Sequence, residues 1–575
     1  MSAIGIDSIG YGVFKTAKEQ SAQFMSVLFK LIIESECVPI QWKRSKTIML
    51  FKKGEPNEAR NWRPIGVTSC LYRIFTCLIA NAIQEDHRRR PIFNENQKGF
   101  IRGVNGCVEH AMTLNELFYN GRRTGEEVYM VALDFRNAFG TVPHQLIFEQ
   151  LKIKGIPENI RKVIKEIYKG NETKVVLNGL NSEKLPWKRG VIQGCPLSPL
   201  LFNLCLDPLL NVVEKVNGRA GIVTEFKGRK HKHCIQAYAD DVVLISNSKE
   251  GMNEILRTVE YFCANTKLEL APNKCIVISH TKDDEIPMFE LEGHSLQSVK
   301  AKTAMTYLGS PISSWRSSRQ KGTERRQEQV QTEMEVIMNS KLTFNQKLIA
   351  IKQYIFPKLD FSLMTSDVSL KSLSKIDTSL RGLIDNDLKS GNLPIAYFYV
   401  HSKDGGLGIP NLRERKLMLD MISIINLTNS SIRKTADFFR MAIEDEAIYR
   451  RVVKDPSGMF EEWKTVDGEI QQERQAGTNG IATRTNMACN KLRIQVRLTR
   501  DGCSIKDRLT EEEGEDNTEQ QMKAKQSIKK IKNIIRERWR EKLCELPLHG
   551  HSFRNLRDSS VSNNFLRSTD PRNDN

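Results

Sequence analysis

Cys234-Ile-Gln-Ala-Tyr238-Ala239-Asp240-Asp241-Val-Val-Leu-Ile-Ser246 sets two adjacent carboxylates into a run that otherwise reads as a buried strand pair. Neighbouring side chains of an extended strand point to opposite faces. Asp240 and Asp241 therefore serve one site only if the chain turns sharply between the flanking apolar runs, as in a hairpin. Burying two unpaired carboxylates is costly, so a partner of high positive charge is implied. Oxygen-only ligands suit Mg²⁺, which takes one or two carboxylates together with substrate phosphates. The plainer alternative is a surface hairpin whose tip carries two acids.

Working outward, Val128-Tyr-Met-Val-Ala-Leu-Asp134 is a second apolar strand ending in a carboxylate, followed by Phe135-Arg-Asn-Ala-Phe139-Gly140-Thr-Val-Pro143-His144. Between the two strands lies Gly190-Val-Ile-Gln193-Gly194-Cys195-Pro196-Leu-Ser198-Pro199, and beyond them Pro272-Asn-Lys274-Cys and Tyr307-Leu308-Gly309. Nearer the start come Trp42-Lys-Arg-Ser-Lys-Thr-Ile-Met-Leu-Phe-Lys52-Lys53-Gly54, Asn61-Trp-Arg63-Pro-Ile65 and Asn96-Gln97-Lys98-Gly99-Phe100. In order, content and spacing these blocks resemble the reverse transcriptases of non-LTR retrotransposons, in particular the lineage with a downstream endonuclease. The resemblance runs from about residue 4 to the last hundred or so, with Asp404-Gly-Gly-Leu-Gly-Ile-Pro410 matching a feature beyond the thumb.

The resemblance implies a right-hand polymerase: α+β fingers and palm followed by an α-helical thumb. It implies RNA-templated DNA synthesis by two-metal phosphoryl transfer, extending a primer 3′ end with dNTPs. Asp134, Asp240 and Asp241 become the metal ligands, holding two Mg²⁺ ions with Mn²⁺ able to substitute. Phe139 lies beneath the sugar of the incoming nucleotide and excludes a 2′-hydroxyl; a core Phe is the rival reading. Gln193 and Gly194 form the loop against that nucleotide. Lys52, Lys53 and Arg63 clamp the triphosphate, Arg63 through the planar contact that suits phosphate oxygens. Lys274 matches a residue that protonates the departing pyrophosphate, with a primer or phosphate contact as the alternative. Tyr307, Leu308 and Gly309 match the primer grip. Two positions depart from the pattern: Gly140 stands where most relatives carry an acid, and Cys195 where many carry Asp.

Composition agrees. Among 575 residues, 87 Lys and Arg face 69 Asp and Glu, a formal net charge of +18. Such an excess favours a polyanionic partner, here an RNA template with a DNA primer or nicked target DNA. The 12 cysteines include no C-x-x-C pair, which argues against a disulfide framework or zinc ribbon and for a reduced intracellular setting, in keeping with work on chromosomal DNA in the nucleus. His231, His233 and Cys234 lie close together but alternate along a strand, without a fourth zinc ligand at suitable spacing. Phe24 to Ile33 is apolar but short and broken by Lys30, suiting neither a signal peptide nor a membrane span.

Periodicity divides the chain into fingers over 1–90, palm over 91–315, helical thumb and its extension over 316–465, a linker over 466–484, and a basic helical region with a mobile tail over 485–575. Phe24, Leu28, Leu31 and Ile32 share one helical face, as do Leu71, Ile74, Phe75 and Leu78. Phe344, Leu348, Ile351 and Ile355 form a thumb helix that Pro357 ends. Ser198 caps a helix with Pro199 at its first position. Ile528, Ile531, Ile535 and Trp539 line a helix whose other faces carry Lys529, Lys530, Lys532, Arg536 and Arg538. No Cys/His cluster follows Leu546-Pro-Leu-His-Gly550, so a zinc knuckle and nuclease are expected to be lacking. The rival from another class is a decayed, non-catalytic nucleic-acid-binding remnant of such an element.

Overall fold

The computed structural model describes residues 4–52, 54–177, 179–216, 220–283, 287–300, 302–389, 393–449, 480–498, 503–507 and 522–546. Its centre is a five-stranded sheet in the order Gln297–Ser298, Ile276–His280, Val128–Leu133, Asp241–Ser246, Ile235–Tyr238. Gln297–Ser298 is parallel to Ile276–His280, and the other four strands are antiparallel each to the next, with Leu133 opposite Val242 and Ala132 opposite both Val243 and Ile276. Period-2 alternation sends Tyr129, Val131, Leu133, Val242 and Leu244 into one apolar cluster, and Val128, Met130, Val243 and Ile245 into another. The sheet is thus covered on both faces, which is why its strands read as unbroken apolar runs.

A second sheet holds the fingers. Arg44–Phe51 pairs antiparallel with Trp62–Val67 and parallel with Glu172–Leu177, to which Leu180–Asn181 and Leu185–Pro186 add. Residues 172–186, expected in the palm, therefore complete the fingers sheet. The cause is topological: a parallel neighbour for Arg44–Phe51 has to arrive by a long crossover, and the helices between residues 70 and 168 supply it.

The thumb is helical from Arg316–Met338 onward, around a cluster that includes Met334, Leu348, Ile355, Leu359, Leu373 and Leu380. Pro357 does not end its run. Phe344–Ala350 continues through a π-turn over Ile351–Ile355 into Phe356–Thr365. The wider turn relieves the clash that a proline ring makes with the preceding carbonyl in an α-helix.

The C-terminal region also departs from expectation. Of the linker predicted over 466–484, residues 466–479 lie outside the described residues, and Ile481–Leu492 is a helix. That helix, the hairpin Ile494–Leu498 with Cys503–Asp507, and the helix Ala524–Cys544 bury Ile481, Ala488, Val496, Ile505 and Ile531 in the cluster behind the palm sheet. The described residues between 480 and 546 thus belong to the packed core as well as being basic. Residues beyond 546, where the tail was expected, are not among those described.

Candidate active site

Ile235–Tyr238 and Asp241–Ser246 form the expected hairpin, with Tyr238 paired to Asp241 across Ala239 and Asp240. Ala239 takes φ +53°, a left-handed conformation that a residue with a Cβ adopts rarely. The turn stands at the end of the sheet where Val128–Leu133 runs out into Asp134. Asp240 is half-buried and Asp241 reaches solvent. Burial, then Asp240 and then Asp134, push the Asp241 carboxyl up to about 6. Burial and Asp134 raise Asp240 as well, while its own backbone N–H, Lys52 and Arg63 pull the other way. The three carboxylates thus share one electrostatic neighbourhood.

Cations face them. Lys274 sits on a single 3₁₀ turn, Pro272–Lys274, and that turn is fastened to the end of the Asp134 strand: the Ala271 N–H donates to the Asp134 carbonyl at 2.8 Å. Its Nζ lies 3.6 Å from Asp134 Oδ2. Lys52 follows the strand Arg44–Phe51, and its backbone N–H donates to Asn61 O at 2.8 Å, closing the loop that returns to Arg63. Burial first, then Arg63 and Lys274, lower the Lys52 ammonium, whereas Asp134 and Asp240 raise it. Lys52, Arg63, Lys274, Asp134 and Asp240 therefore feel one another across the mouth between fingers and palm. Lys53 lies outside the described residues.

The Gln193-Gly194 loop is held against the fingers strand Trp62–Val67. The Gly66 N–H donates to Gln193 O, and a Cβ on Gly194 (φ +116°) would stand 2.6 Å from Gly66 O. Phe139, half-buried, stacks flat on Phe202 with centroids 4.7 Å apart. At Gly140, the first departure from the family pattern, a Cβ would collide with the Asn137 side-chain amide, and Gly190 packs on its backbone, where a Cβ on Gly190 would lie 2.6 Å from the Gly140 carbonyl oxygen. Cys195, the second, is buried beneath the loop and accepts the Tyr72 hydroxyl at 3.3 Å. Neither departure touches the three aspartates.

Met305–Tyr307 and Ser310–Ile312 form a hairpin whose two turn residues, Leu308 (φ +48°) and Gly309 (φ +79°), are both left-handed, as the tightest hairpin turns require. The Tyr307 hydroxyl donates to the Asp241 carbonyl at 3.1 Å. The segment matched to the primer grip is thereby joined to the aspartate turn.

The residue-by-residue reading missed what stands behind that turn. Gln97 is buried, and its Oε1 accepts the N–H groups of Ala239 at 2.8 Å and Gly99 at 2.9 Å. Cys107 shares a side-chain hydrogen bond with Tyr238. An amide in the glycine-containing block Asn96–Phe100 was the available signal, since a Gly marks close backbone approach. The histidines set aside as zinc ligands have other partners: His231 Nε2 lies 2.9 Å from Asp437, and His233 bonds Thr224 and packs on Phe438.

Residues 51–312 match the family model described as reverse transcriptase (RNA-dependent DNA polymerase). This stretch, a little under half of the chain, is similar to reverse transcriptases. A retrovirus-related Pol polyprotein from the type-2 retrotransposable element R2DM of Drosophila melanogaster is 26% identical over 423 residues, covering 72% of this chain and 38% of that protein. A polyprotein from a type-1 R2 element of Popillia japonica is 28% identical over 397 residues, covering 67% of this chain and 54% of that protein. A telomerase structure from Candida Tropicalis with a fragment of telomeric RNA aligns over 73% of this chain and 68% of its own, at 13% identity and a TM-score of 0.36. The chain thus spans about 38–54% of the length of these two polyproteins.

Reverse transcriptases generally use divalent metal ions, and the donors of this domain fit one. They are carboxylate oxygens alone, the set preferred by hard cations, and burial with mutual repulsion raises Asp240 and Asp241, a strain that a bound positive charge relieves. Among the described residues no group of three or more His, Cys, Asp and Glu side chains is drawn together as a ready metal cage. The arrangement suits ions that arrive with substrate phosphates to complete their coordination.

Proposed function

We propose that this chain is an RNA-directed DNA polymerase that extends a primer 3′ end on an RNA template with dNTPs, the primer being DNA or a nicked chromosomal strand in the nucleus. One observation carries the reading: Asp134, Asp240 and Asp241 gather at one end of the palm sheet, with Lys52, Arg63 and Lys274 facing them. That is a carboxylate site for cations opposite a cationic site for phosphate.

Asp134, Asp240 and Asp241 would hold the two Mg²⁺ ions. When bound, such ions would activate the attacking hydroxyl and neutralise the leaving group. The chain's own groups do the rest. Lys52 and Arg63 reach the triphosphate from the fingers and cancel charge that develops on its oxygens. Lys274 carries ammonium protons beside Asp134, where a departing pyrophosphate oxygen could take one. Gln193 and Gly194 close the pocket on the base side, and Phe139 offers its outer ring face to the sugar. The Tyr307–Gly309 turn sets the primer end against Asp241.

Primer extension on a generic RNA template tests this. The wild-type chain should incorporate dNTPs only with a divalent ion, and Asp134→Asn or Asp240→Asn should lose several powers of ten in rate. Asp241→Asn should lose less, because its carboxylate is the one at the solvent edge. Substantial extension by Asp240→Asn would remove the assignment and favour a nucleic-acid-binding remnant.

A further inference from the structure

The aspartate turn contains no residue that favours the conformation it adopts. Tyr-Ala-Asp-Asp has no glycine, yet Ala239 holds φ +53°, a conformation that Cβ sterics disfavour. Something outside the turn imposes it. The segment Asn96–Gly99 lies along the hairpin, with Gln97 bridged in parallel to Ala237. The Ala237 N–H donates to Asn96 O at 3.0 Å, and the Lys98 N–H to Ala237 O at 2.9 Å.

From that strap the Gln97 carboxamide reaches the turn. Its Oε1 takes the Ala239 N–H at 2.8 Å and the Gly99 N–H at 2.9 Å, and its Nε2 points to the Ala239 carbonyl at 3.4 Å. One side chain thus engages both backbone polar groups of the strained residue. The strap cannot drift away from its target. The Gln97 N–H donates to Asn94 O, Asn203 Nδ2 holds the Gly99 carbonyl at 2.8 Å, and a Cβ on Gly99 would collide with the Ala239 nitrogen. On the other side Tyr307 holds the Asp241 carbonyl. The turn is gripped from both sides, and neither grip uses an aspartate carboxylate.

We propose that Gln97 is a positioning residue for the divalent-metal site: through Ala239 it fixes the turn that sets Asp240 and Asp241 toward the same ions, so it governs metal affinity and the rate of the chemical step. The inference rests on the polymerase reading above, and it specifies a chemistry at position 97. The side chain needs an acceptor for two N–H groups at glutamine's reach. Asparagine is shorter by one carbon–carbon bond and falls short, methionine has the length without the acceptor, and glutamate keeps length and acceptor while losing the weaker donation.

The test is a Mn²⁺ titration followed by electron paramagnetic resonance. It uses the full chain with an RNA template, a dideoxy-terminated DNA primer and the next dNTP, so that no turnover is needed. Gln97→Asn and Gln97→Met should weaken Mn²⁺ binding on the order of tenfold, the scale on which groups that orient metal ligands act. Gln97→Glu should stay closer to wild type. With a normal primer, kcat should fall in the same order of variants, rising again as Mg²⁺ is increased, while the KM for dNTP changes little. Primer–template binding in EDTA should be unaltered.

Mn²⁺ titrations of Gln97→Asn and Gln97→Met that overlay the wild type would overturn the proposal. So would a parallel loss of EDTA-insensitive primer–template binding and melting temperature with metal affinity intact, which would make Gln97 a core residue only. If the methionine variant does not fold, the asparagine and glutamate pair still decides. A wild-type chain that binds Mn²⁺ but extends nothing would sink the polymerase reading, and the variants' titrations would still rule on Gln97.

Discussion

Phe139 lies on Phe202 with ring planes 11° from parallel, so one of its faces is committed to the core. The proposed gate role requires the other face to meet the sugar. Phe139→Val keeps a branched side chain on Phe202 but removes the outer part of the ring. Competition between dGTP and rGTP should then shift toward the ribonucleotide by roughly tenfold or more, the scale of small steric changes in a pocket. Unchanged discrimination would assign the ring wholly to packing. At this scale the sequence was most legible where chemistry restricts residue type: few contexts tolerate paired carboxylates inside an apolar run. It was least legible for Gly140 and Cys195. Their meaning depends on how the chain folds around them: the Asn137 side chain turned onto the first, and Tyr72, distant in sequence, beside the second.

Element by element, period and turn residues placed the strand Val128–Leu133 and the hairpin of Ile235–Tyr238 with Asp241–Ser246 close to where they stand. Helix faces were harder. In Lys18–Ser35 the buried residues are Phe29 and Ile32, while Phe24 and Leu31 are 55% and 57% exposed. An apolar stripe wider than its contact leaves periodicity unable to choose the side. The helix cap at residue 198 also moved by one, Leu197 being the cap and Ser198 the first helical residue; such ends are set by local geometry more than by residue type. The hairpin at Tyr307 shows what pairing adds to a motif. Tyr307→Phe removes one hydrogen bond to the Asp241 carbonyl and leaves the ring packed. A net loss of about 1 kcal/mol in holding the turn corresponds to roughly a fivefold fall in extension rate, with the melting temperature nearly unmoved. Wild-type extension by Tyr307→Phe would show that the ring alone anchors the hairpin.

Across the whole molecule, palm, thumb and C-terminal region meet at buried charges that no linear reading could assemble. Glu116, on the helix Gly106–Thr124, accepts the Ile481 N–H at 3.2 Å, and Glu446 accepts the N–H groups of Gly480 and Ala482. Burial, then Glu446, push the Glu116 carboxyl up to about 8. The folded chain therefore keeps a proton there that the unfolded chain releases near the ordinary Glu value, about 4.3. That contribution is fully present below the unfolded value and is lost as pH rises through the folded one. The melting temperature should accordingly fall between pH 5 and 8, and less steeply in Glu116→Gln; equal slopes would dismiss Glu116 as the proton holder. The basic helix Ala524–Cys544 raises the opposite question, since part of it is plainly structural. Ser527, Ile531 and Leu543 are buried, and Arg536 pairs with Asp404, so deleting the helix would test folding and little else. Lys529, Lys530 and Lys532 are exposed on the remaining surface. If they face the duplex phosphates, changing each to Gln should lower the salt dependence of primer–template binding by about one unit of slope per lysine. Extension at saturating primer–template should be unaffected. A triple variant whose slope matches the wild type would leave these lysines as solvated surface and move the chain's excess positive charge to work elsewhere, with the fingers residues Lys52 and Arg63 and the palm residue Lys274 the cations already seen at the site.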